Sequence, residues 1–295
     1  MLAIEGEWPL GRDAKSSTPP HLLSTTPLAK ITGMRIAALY DIHGNITALT
    51  AVLHEIAGEQ VDAVVIGGDV AWGPHPRAVI ECLTELDVPA TFIRGNADRE
   101  VSEGIVSGVR GDSSDPDVFL QITDWCRQQL SELQRNWVGS QSLTATLVAE
   151  SLGEILFCHG SPRSDEEIIT TATPEKRFLQ ALSGVPEVTV VCGHTHMQFD
   201  RTVQGRRLVN AGSVGMPYEG RQGAYWALLG PDVEFRRTAY DIEGAATRMR
   251  ASGCPHVEEV FVDTIINPPG RSDTIRHFEE RATTALLRWQ GHNGV

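Results

Sequence analysis

Five apolar runs, in chain order, each stop at Asp, Asn or His beside glycine. Arg35–Tyr40 runs into Asp41-Ile42-His43-Gly44-Asn45, Val61–Ile66 into Gly67-Gly68-Asp69, and Ala90–Arg94 into Gly95-Asn96-Ala97-Asp98. Glu154–Cys158 runs into His159-Gly160, and Val188–Cys192 into Gly193-His194-Thr195-His196. Runs of this length with a high apolar content read as buried strands, and the spacing of apolar residues from Ile46 to Ile56 reads as a helix. From Arg35 to Arg94 the order strand, helix, strand, helix, strand implies parallel pairing with right-handed crossovers. Ligands of open α/β sheets collect at the carboxyl ends of strands. Repeating the pattern five times therefore constrains the chain to fold around one polar centre.

Further along, Leu143–Val148 and Ile155–Cys158 read as paired strands that begin a second sheet, and Pro174–Leu182 reads as a helix with Thr173 as its cap. Phe199–Val203 and Arg207–Val209 flank Gln204-Gly205, a hairpin signal. Ala224–Leu229 and Val233–Thr238, separated by Gly230-Pro231-Asp232, are expected to extend that second sheet. The sum is two mixed sheets face to face with helices outside. An amphipathic helix is expected from Val118 to Leu133, after a break at Asp112–Pro116; Asp241 caps a helix toward Arg250, and a last helix runs from Ser272 to Trp289.

Residues 1–33 carry Pro9, Pro19, Pro20 and Pro27 with no periodicity and no apolar stretch of signal or membrane-span length, and are expected to form a disordered tail. Residues 34–295 are expected to form a single domain, with a core over 34–250 and an extension over 251–295. The net charge of −13 argues against a surface that grips nucleic acid through many phosphates. Five cysteines, placed singly and without a Cys-x-x-Cys pair, read as reduced, packed thiols, which implies a cytoplasmic protein.

The ordered series Asp-x-His, Gly-Asp, Gly-Asn-x-Asp, His-Gly and Gly-His-x-His resembles the calcineurin-like metallophosphoesterase superfamily. With Asn210-Ala211-Gly212-Ser213-Val214-Gly215, it is similar to the small single-domain phosphodiesterase branch, over roughly Met34 to Asp241. The resemblance implies an α/β fold, a four-layer α/β/β/α sandwich of two mixed sheets. It implies two metal ions: Asp41, His43, Asp69 and His196 would hold one, Asp69, Asn96, His159 and His194 the other, with Asp69 as the bridge. Mixed carboxylate, amide and imidazole ligands suit manganese, iron or zinc rather than magnesium alone, and manganese is taken first. A water activated by the metal pair would then attack phosphorus.

One position departs from the family pattern. Ala97 stands where many members carry a histidine that protonates the leaving oxygen, with Asp98 to orient it; alanine cannot donate a proton, and small phosphodiesterases of this class often lack the histidine as well. A strong dependence of rate on leaving-group pKa is expected, unless another acid such as His75 takes the role. Arg94 stands where the protein phosphatases hold phosphate with an arginine, and is otherwise a salt-bridge residue. Asn45 either contacts phosphate or caps the following helix. His75 touches substrate or sits on a surface loop. Asn210, Gly212 and Ser213 form a backbone nest near the metals or a tight turn.

The resulting expectation is hydrolysis of phosphodiester or nucleotide polyphosphate bonds of small molecules, with no membrane partner and with a homo-oligomer left open. The alternatives are a phosphomonoesterase or protein phosphatase of the same fold and, from another class, an interaction scaffold like the retromer subunit that resembles this fold.

Overall fold

The computed structural model describes residues 34–106 and 116–292; the expected tail over 1–33 and the break at Asp112–Asp115 lie outside the described residues. Two five-stranded sheets form the centre. In chain order the strands are β1 (Ile36–Leu39), β2 (Ala63–Ile66), β3 (Ala90–Phe92), β4 (Thr144–Ala149) and β5 (Gly153–Cys158). They continue with β6 (Thr189–Cys192), β7 (Phe199–Val203), β8 (Arg206–Asn210), β9 (Ala224–Leu229) and β10 (Val233–Thr238). The first sheet has the order β10-β9-β1-β2-β3 and the second β4-β5-β6-β8-β7. Both are mixed: β1, β2 and β3 run parallel while β9 is antiparallel to β1, and β5, β6 and β8 run parallel between antiparallel edge strands.

Alternation along the strands builds the layers. In and just after β1, Ile36, Ala38 and Tyr40 face a core shared with Ile155, Phe157, Val191 and Val209 of the second sheet. Ala37 and Leu39 point the other way, onto Leu49, Val52 and Ile56 of helix α1 (Ile46–Ala57). In the second sheet Leu156, Val190 and Cys192 turn outward onto Phe178 and Leu182, at helix α6 (Glu175–Ala181). Side chains of one strand thus fill two layers, as the period of two requires. The result is the expected four-layer α/β/β/α sandwich.

Three expectations are corrected. The hairpin β9–β10 joins the first sheet, not the second, with Ala37 paired to Leu228. Every residue of β1 is buried, so its second edge cannot face water, and β9 supplies the missing hydrogen bonds. The expected helix over Val118–Leu133 is two helices, α4 (Pro116–Gln129) and α5 (Glu132–Gly139). Ser131 accepts from the Gln134 N–H while the Gln134 side chain accepts from the Ser131 N–H, so a capping box starts the second helix. Pro174, not Thr173, precedes α6; the Thr173 hydroxyl instead donates to Glu279.

Helices α2 (Pro76–Thr84) and α3 (Asn96–Glu103) follow β2 and β3, and α7 (Ile242–Ala251) begins with the Asp241 carboxylate accepting from Gly244 N–H at 2.9 Å, as read from the sequence. A π-helical turn, Glu258–Val262, leads into α8 (Asp263–Ile266), and the long helix α9 (Arg271–His292) ends the description. Phe278 and Ala282 of α9 pack on Ile168 and Met197, the latter directly after the last His of the Gly-His-x-His loop. No helix among the described residues is long and apolar enough to cross a membrane.

Candidate metal centre

Asp41, His43, Asp69, His194 and His196 all have positive φ, between 46° and 65°. Non-glycine residues rarely adopt this left-handed backbone, and strain of this kind gathers at functional sites. Here it folds each strand end back so that the side chain hangs over the sheet edge. Gly68 (φ 97°) permits the closest approach: a Cβ there would lie 2.4 Å from the backbone nitrogen of Gly95, so the β2 and β3 loops touch only because the side chain is hydrogen.

Imidazole orientation is fixed from behind. His43 Nδ1 lies 3.1 Å from the Trp72 carbonyl, His159 Nδ1 2.8 Å from that of Gly67, and His196 Nδ1 2.7 Å from that of Met216. A carbonyl can only accept, so each Nδ1 carries the hydrogen and a neutral ring turns its Nε2 lone pair inward. Those three Nε2 atoms surround Asp41 Oδ1 at 3.8, 3.8 and 3.3 Å. Asp41 Oδ1 is fully buried and accepts no hydrogen bond. His43 Nε2 and His196 Nε2 stand 3.2 Å apart with facing lone pairs. With the rings neutral, a buried carboxylate oxygen that accepts no hydrogen bond is costly among them unless a cation joins them. Donors about 2.0–2.2 Å from one ion stand roughly 3–3.6 Å apart; the 3.3 and 3.2 Å separations of His196 Nε2 from Asp41 Oδ1 and from His43 Nε2 match this, and the 3.8 Å separations are somewhat wider.

Two groups of side chains could each hold a metal ion: Asp41 with His43 and His196, and Asp69 with His159 and His194. Asp69 Oδ2 lies 3.7 Å from His43 Nε2 and 3.4 Å from His159 Nε2, between the two groups. Its Oδ1 accepts from the Ala97 N–H at 2.8 Å, which holds the carboxylate in that position.

The protein's own charges are unevenly balanced around this centre. Burial lowers His43 to about 4, with repulsion from His196 adding to it, and burial lowers His194 to about 3. At His159 burial is outweighed by the Asp69 and Asp41 carboxylates, which push it up to about 10. For Asp41 the same contest runs the other way: burial would raise its carboxyl, and the neighbouring His196 and His159 hold it below the ordinary value. Burial, then the charge of Asp69, raise Asp98 to about 7.

Residues 34–230 match the model of the calcineurin-like phosphoesterase superfamily domain. The chain belongs to that superfamily. An uncharacterized protein of Methanocaldococcus jannaschii is 24% identical over 245 residues, spanning 75% of this chain and 93% of the relative. Among solved structures, a hypothetical protein from Pyrococcus horikoshii superposes with a TM-score of 0.66 at 22% identity, over 77% of this chain and 98% of that one. A metallophosphoesterase from Sphaerobacter thermophilus gives 0.60 at 26% identity, over 79% and 99%.

The calcineurin-like frame sorts the residues singled out from the sequence. Asp41, His43, Asp69, His159, His194 and His196 come together as described, and Asn96 lines the same cavity as Asp69 at the start of α3. Asp98 lies behind them: Oδ1 accepts from the N–H groups of Val70 and Ala71 and Oδ2 from that of Gly95, so it ties the loop after Asp69 to the loop before Asn96. Ser213 donates to the Asp41 carbonyl and accepts from the Met216 N–H, linking two ligand-bearing loops. Asn210 donates to the Gly193 carbonyl and to Thr195 Oγ1 and accepts from the Gly212 N–H, holding the Gly-His-x-His loop and closing the turn.

Four positions expected at the substrate are therefore turned to support. For Asn45 the cap reading applies: Oδ1 accepts from the Ala48 N–H, and Nδ2 donates to the Gly215 carbonyl and Tyr240 hydroxyl. Its amide is used on both ends, as are the polar atoms of Asn210 and Ser213, while Gly212 is the turn itself. Arg94 donates to the Gly139 carbonyl and lies 3.9 Å from Asp165, so the salt-bridge reading applies, and it is not among the residues lining the cavity. His75 precedes α2, with Nδ1 3.3 Å from the Gly44 carbonyl, and is likewise absent from the lining.

The cavity over the centre measures about 440 Å³. Its floor includes His43, Asp69, Asn96, His194 and His196. Its upper wall includes Tyr218 and, from α9, Thr274, His277, Phe278 and Arg281. Sequence reasoning placed α9 outside the resemblance and assigned it no chemistry. The available signal was the four-residue spacing of Asp273, His277 and Arg281, which by itself describes only a solvated helix face.

Proposed function

We propose that this protein is a two-metal phosphoesterase that hydrolyses phosphodiester or nucleotide polyphosphate bonds of small molecules. Asp41, His43, Asp69 and His196 would hold one ion and Asp69, Asn96, His159 and His194 the other, with Asp69 shared. The metals, manganese first with iron or zinc as alternatives, would supply Lewis-acid polarisation of the phosphoryl group and activation of water. One observation carries the reading: the buried Asp41 Oδ1 without a hydrogen bond, ringed by three imidazole Nε2 atoms whose Nδ1 atoms are engaged with carbonyls.

At the position where many relatives carry a proton-donating histidine, this chain offers no acid. Ala97 is buried and offers only its N–H, which Asp69 accepts. That His75 is not among the lining residues supports a site without a replacement acid from that loop. Rates are therefore expected to fall steeply as leaving-group pKa rises. A cavity of about 440 Å³ supports small substrates, within the roughly 300–1,000 Å³ of small-molecule sites. Arg94 was the feature that favoured a phosphatase, and its engagement with Gly139 and Asp165 removes that support.

The test is Mn²⁺-dependent hydrolysis of a chromogenic phosphodiester beside the matching monoester. Diester turnover is expected, falling by roughly a thousandfold in Asp69→Asn, since the several kcal/mol that metals contribute are lost with their shared ligand. Monoester preference would favour a phosphatase, and absence of metal binding would defeat the enzyme reading.

A further inference from the structure

Much of the cavity wall comes from beyond residue 230, where the family domain ends. Val260 and Thr264 reach it from the π-helical turn and α8, and Thr274 and Phe278 from α9. Two of these four are polar by name. Thr264 Oγ1 donates to the Val260 carbonyl at 2.8 Å, however, and Thr274 Oγ1 to the Gly270 carbonyl at 3.0 Å. Each hydroxyl proton is given to a backbone carbonyl four residues back, so neither is left for a ligand. The surface these residues present is chiefly hydrocarbon, and Trp72 and Phe119, stacked with centroids 5.8 Å apart, add rings to the same lining. The charged residues of α9 that reach the cavity, Asp273, His277 and Arg281, stand on a separate ridge with its own four-residue spacing.

This apolar wall is held from both sides. Phe261 and Ile265, next to Val260 and Thr264, are buried in the core, and the Phe261 ring lies 5.0 Å from that of Trp72. Phe278 packs on Ile168 and Met197, and one turn of helix beside it Glu279 accepts from the hydroxyls of Thr170 and Thr173, each at 2.6 Å. Between the two segments the Pro269 carbonyl accepts from the Gly220 N–H at 2.8 Å. A π-helical turn is itself uncommon and gathers at functional sites. With phosphorus over the floor, the rest of a substrate is left against this wall. A hydrocarbon ester group gains there, by roughly fourfold in affinity per buried methylene, whereas a sugar hydroxyl gives up water without a proton donor to replace it.

Resting on the phosphoesterase reading, we propose that the C-terminal extension is the specificity element of this site. Val260, Thr264, Thr274 and Phe278 form a subsite for a short hydrocarbon ester group, and the enzyme prefers phosphoesters of apolar alcohols to those of sugars. Of phosphodiesters and nucleotide polyphosphates, such a subsite favours the former.

The full chain, loaded with Mn²⁺, is titrated calorimetrically with methylphosphonate, butylphosphonate and hydroxypropylphosphonate, the last matching butyl in length but ending in a hydroxyl. Butylphosphonate is expected to bind roughly tenfold or more tighter than methylphosphonate, and hydroxypropylphosphonate several-fold weaker than butylphosphonate. Thr264→Trp, which fills the subsite, is expected to bring the ratio of the butyl and methyl Kd values close to one. Val260→Ala, a milder change, lowers that ratio by roughly two- to fourfold, and Mn²⁺ affinity is constant in both variants. Equal binding of methyl- and butylphosphonate by the wild type, or of butyl- and hydroxypropylphosphonate, overturns the hydrocarbon subsite, as does a loaded wild type that binds none of the three. A butyl preference undiminished in both variants overturns its assignment to the extension. Metal-dependent diester turnover that is lost in Asp69→Asn, together with equal binding of the phosphonates, sinks the subsite and leaves the phosphoesterase reading standing. A wild type that binds no Mn²⁺ overturns both.

Discussion

The floor and the upper wall of the cavity are built on different principles. The floor is made of strand ends, five of its residues in left-handed backbone, its donors buried save the half-buried His194, and three of its imidazoles each held by a carbonyl. The wall is ordinary helix, half-buried at His277 and Arg281, and attached through side chains such as Glu279 and Phe278. Backbone-fixed donors can be positioned with little freedom, as chemistry on phosphorus requires, whereas a helix face can change its residues without disturbing the fold. The floor thus carries the candidate metal donors, and the wall lines the cavity above them.

That division can be broken most directly at Asp98, which holds floor loops together without lining the cavity. Asp98→Asn replaces one acceptor oxygen by a donor facing backbone N–H groups, and Mn²⁺ affinity is expected to fall by about 10–100-fold, measured by calorimetry. Unchanged metal binding would mean that the floor is held by other contacts.

A smaller effect, on the other side, is expected from Glu279→Gln. The change weakens the attachment of α9 to Thr170, Thr173 and Arg177 and is expected to cost about 1–3 kcal/mol in unfolding free energy. KM should rise several-fold while Mn²⁺ affinity stays constant. If metal affinity fell in parallel, floor and wall would be one cooperative unit.

The least conspicuous effect is a proton. Without metal, His159 is raised from 6.5 to about 10, so the folded state binds an extra proton between those values. Its contribution to stability is complete below about 6.5 and is lost as pH rises toward 10. Metal needs the same Nε2 without its proton, so Mn²⁺ binding at pH 8 is expected to release about one proton and to tighten with pH. Calorimetry in buffers of different ionisation enthalpy measures this. A metal-binding heat independent of the buffer would show that the two carboxylates do not hold that proton.

The floor was legible in the sequence because strand periodicity and the glycines around Asp41, Asp69, Asn96, His159, His194 and His196 are local signals, and together they specify where the chain must turn. The wall was not. The spacing of Asp273, His277 and Arg281 reveals a helix face but not what lies opposite it, and that depends on packing between Phe278 and Met197, remote in sequence. For the same reason Arg94, adjacent to a metal-ligand motif, was expected at the phosphate while the structure turns it to Gly139. The placement of β9 beside β1 was also non-local: a hairpin signal states that two strands pair with each other and is silent about which sheet receives them. Ser131 was a missed local signal, since Ser131-Glu132-Leu133-Gln134 is a readable capping box.

The left-handed backbone at Asp41, His43, Asp69, His194 and His196 has a consequence for anyone engineering this protein. Glycine carries no penalty in that conformation, while other residues lose roughly 1–2 kcal/mol there. Backbone conformation alone would therefore favour glycine at His43 or His194, and in the metal-free protein packing and, for His43, the Trp72 hydrogen bond oppose that loss of a candidate ion donor. Selection on melting temperature alone is blind to that loss, and each round should also be screened on bound metal.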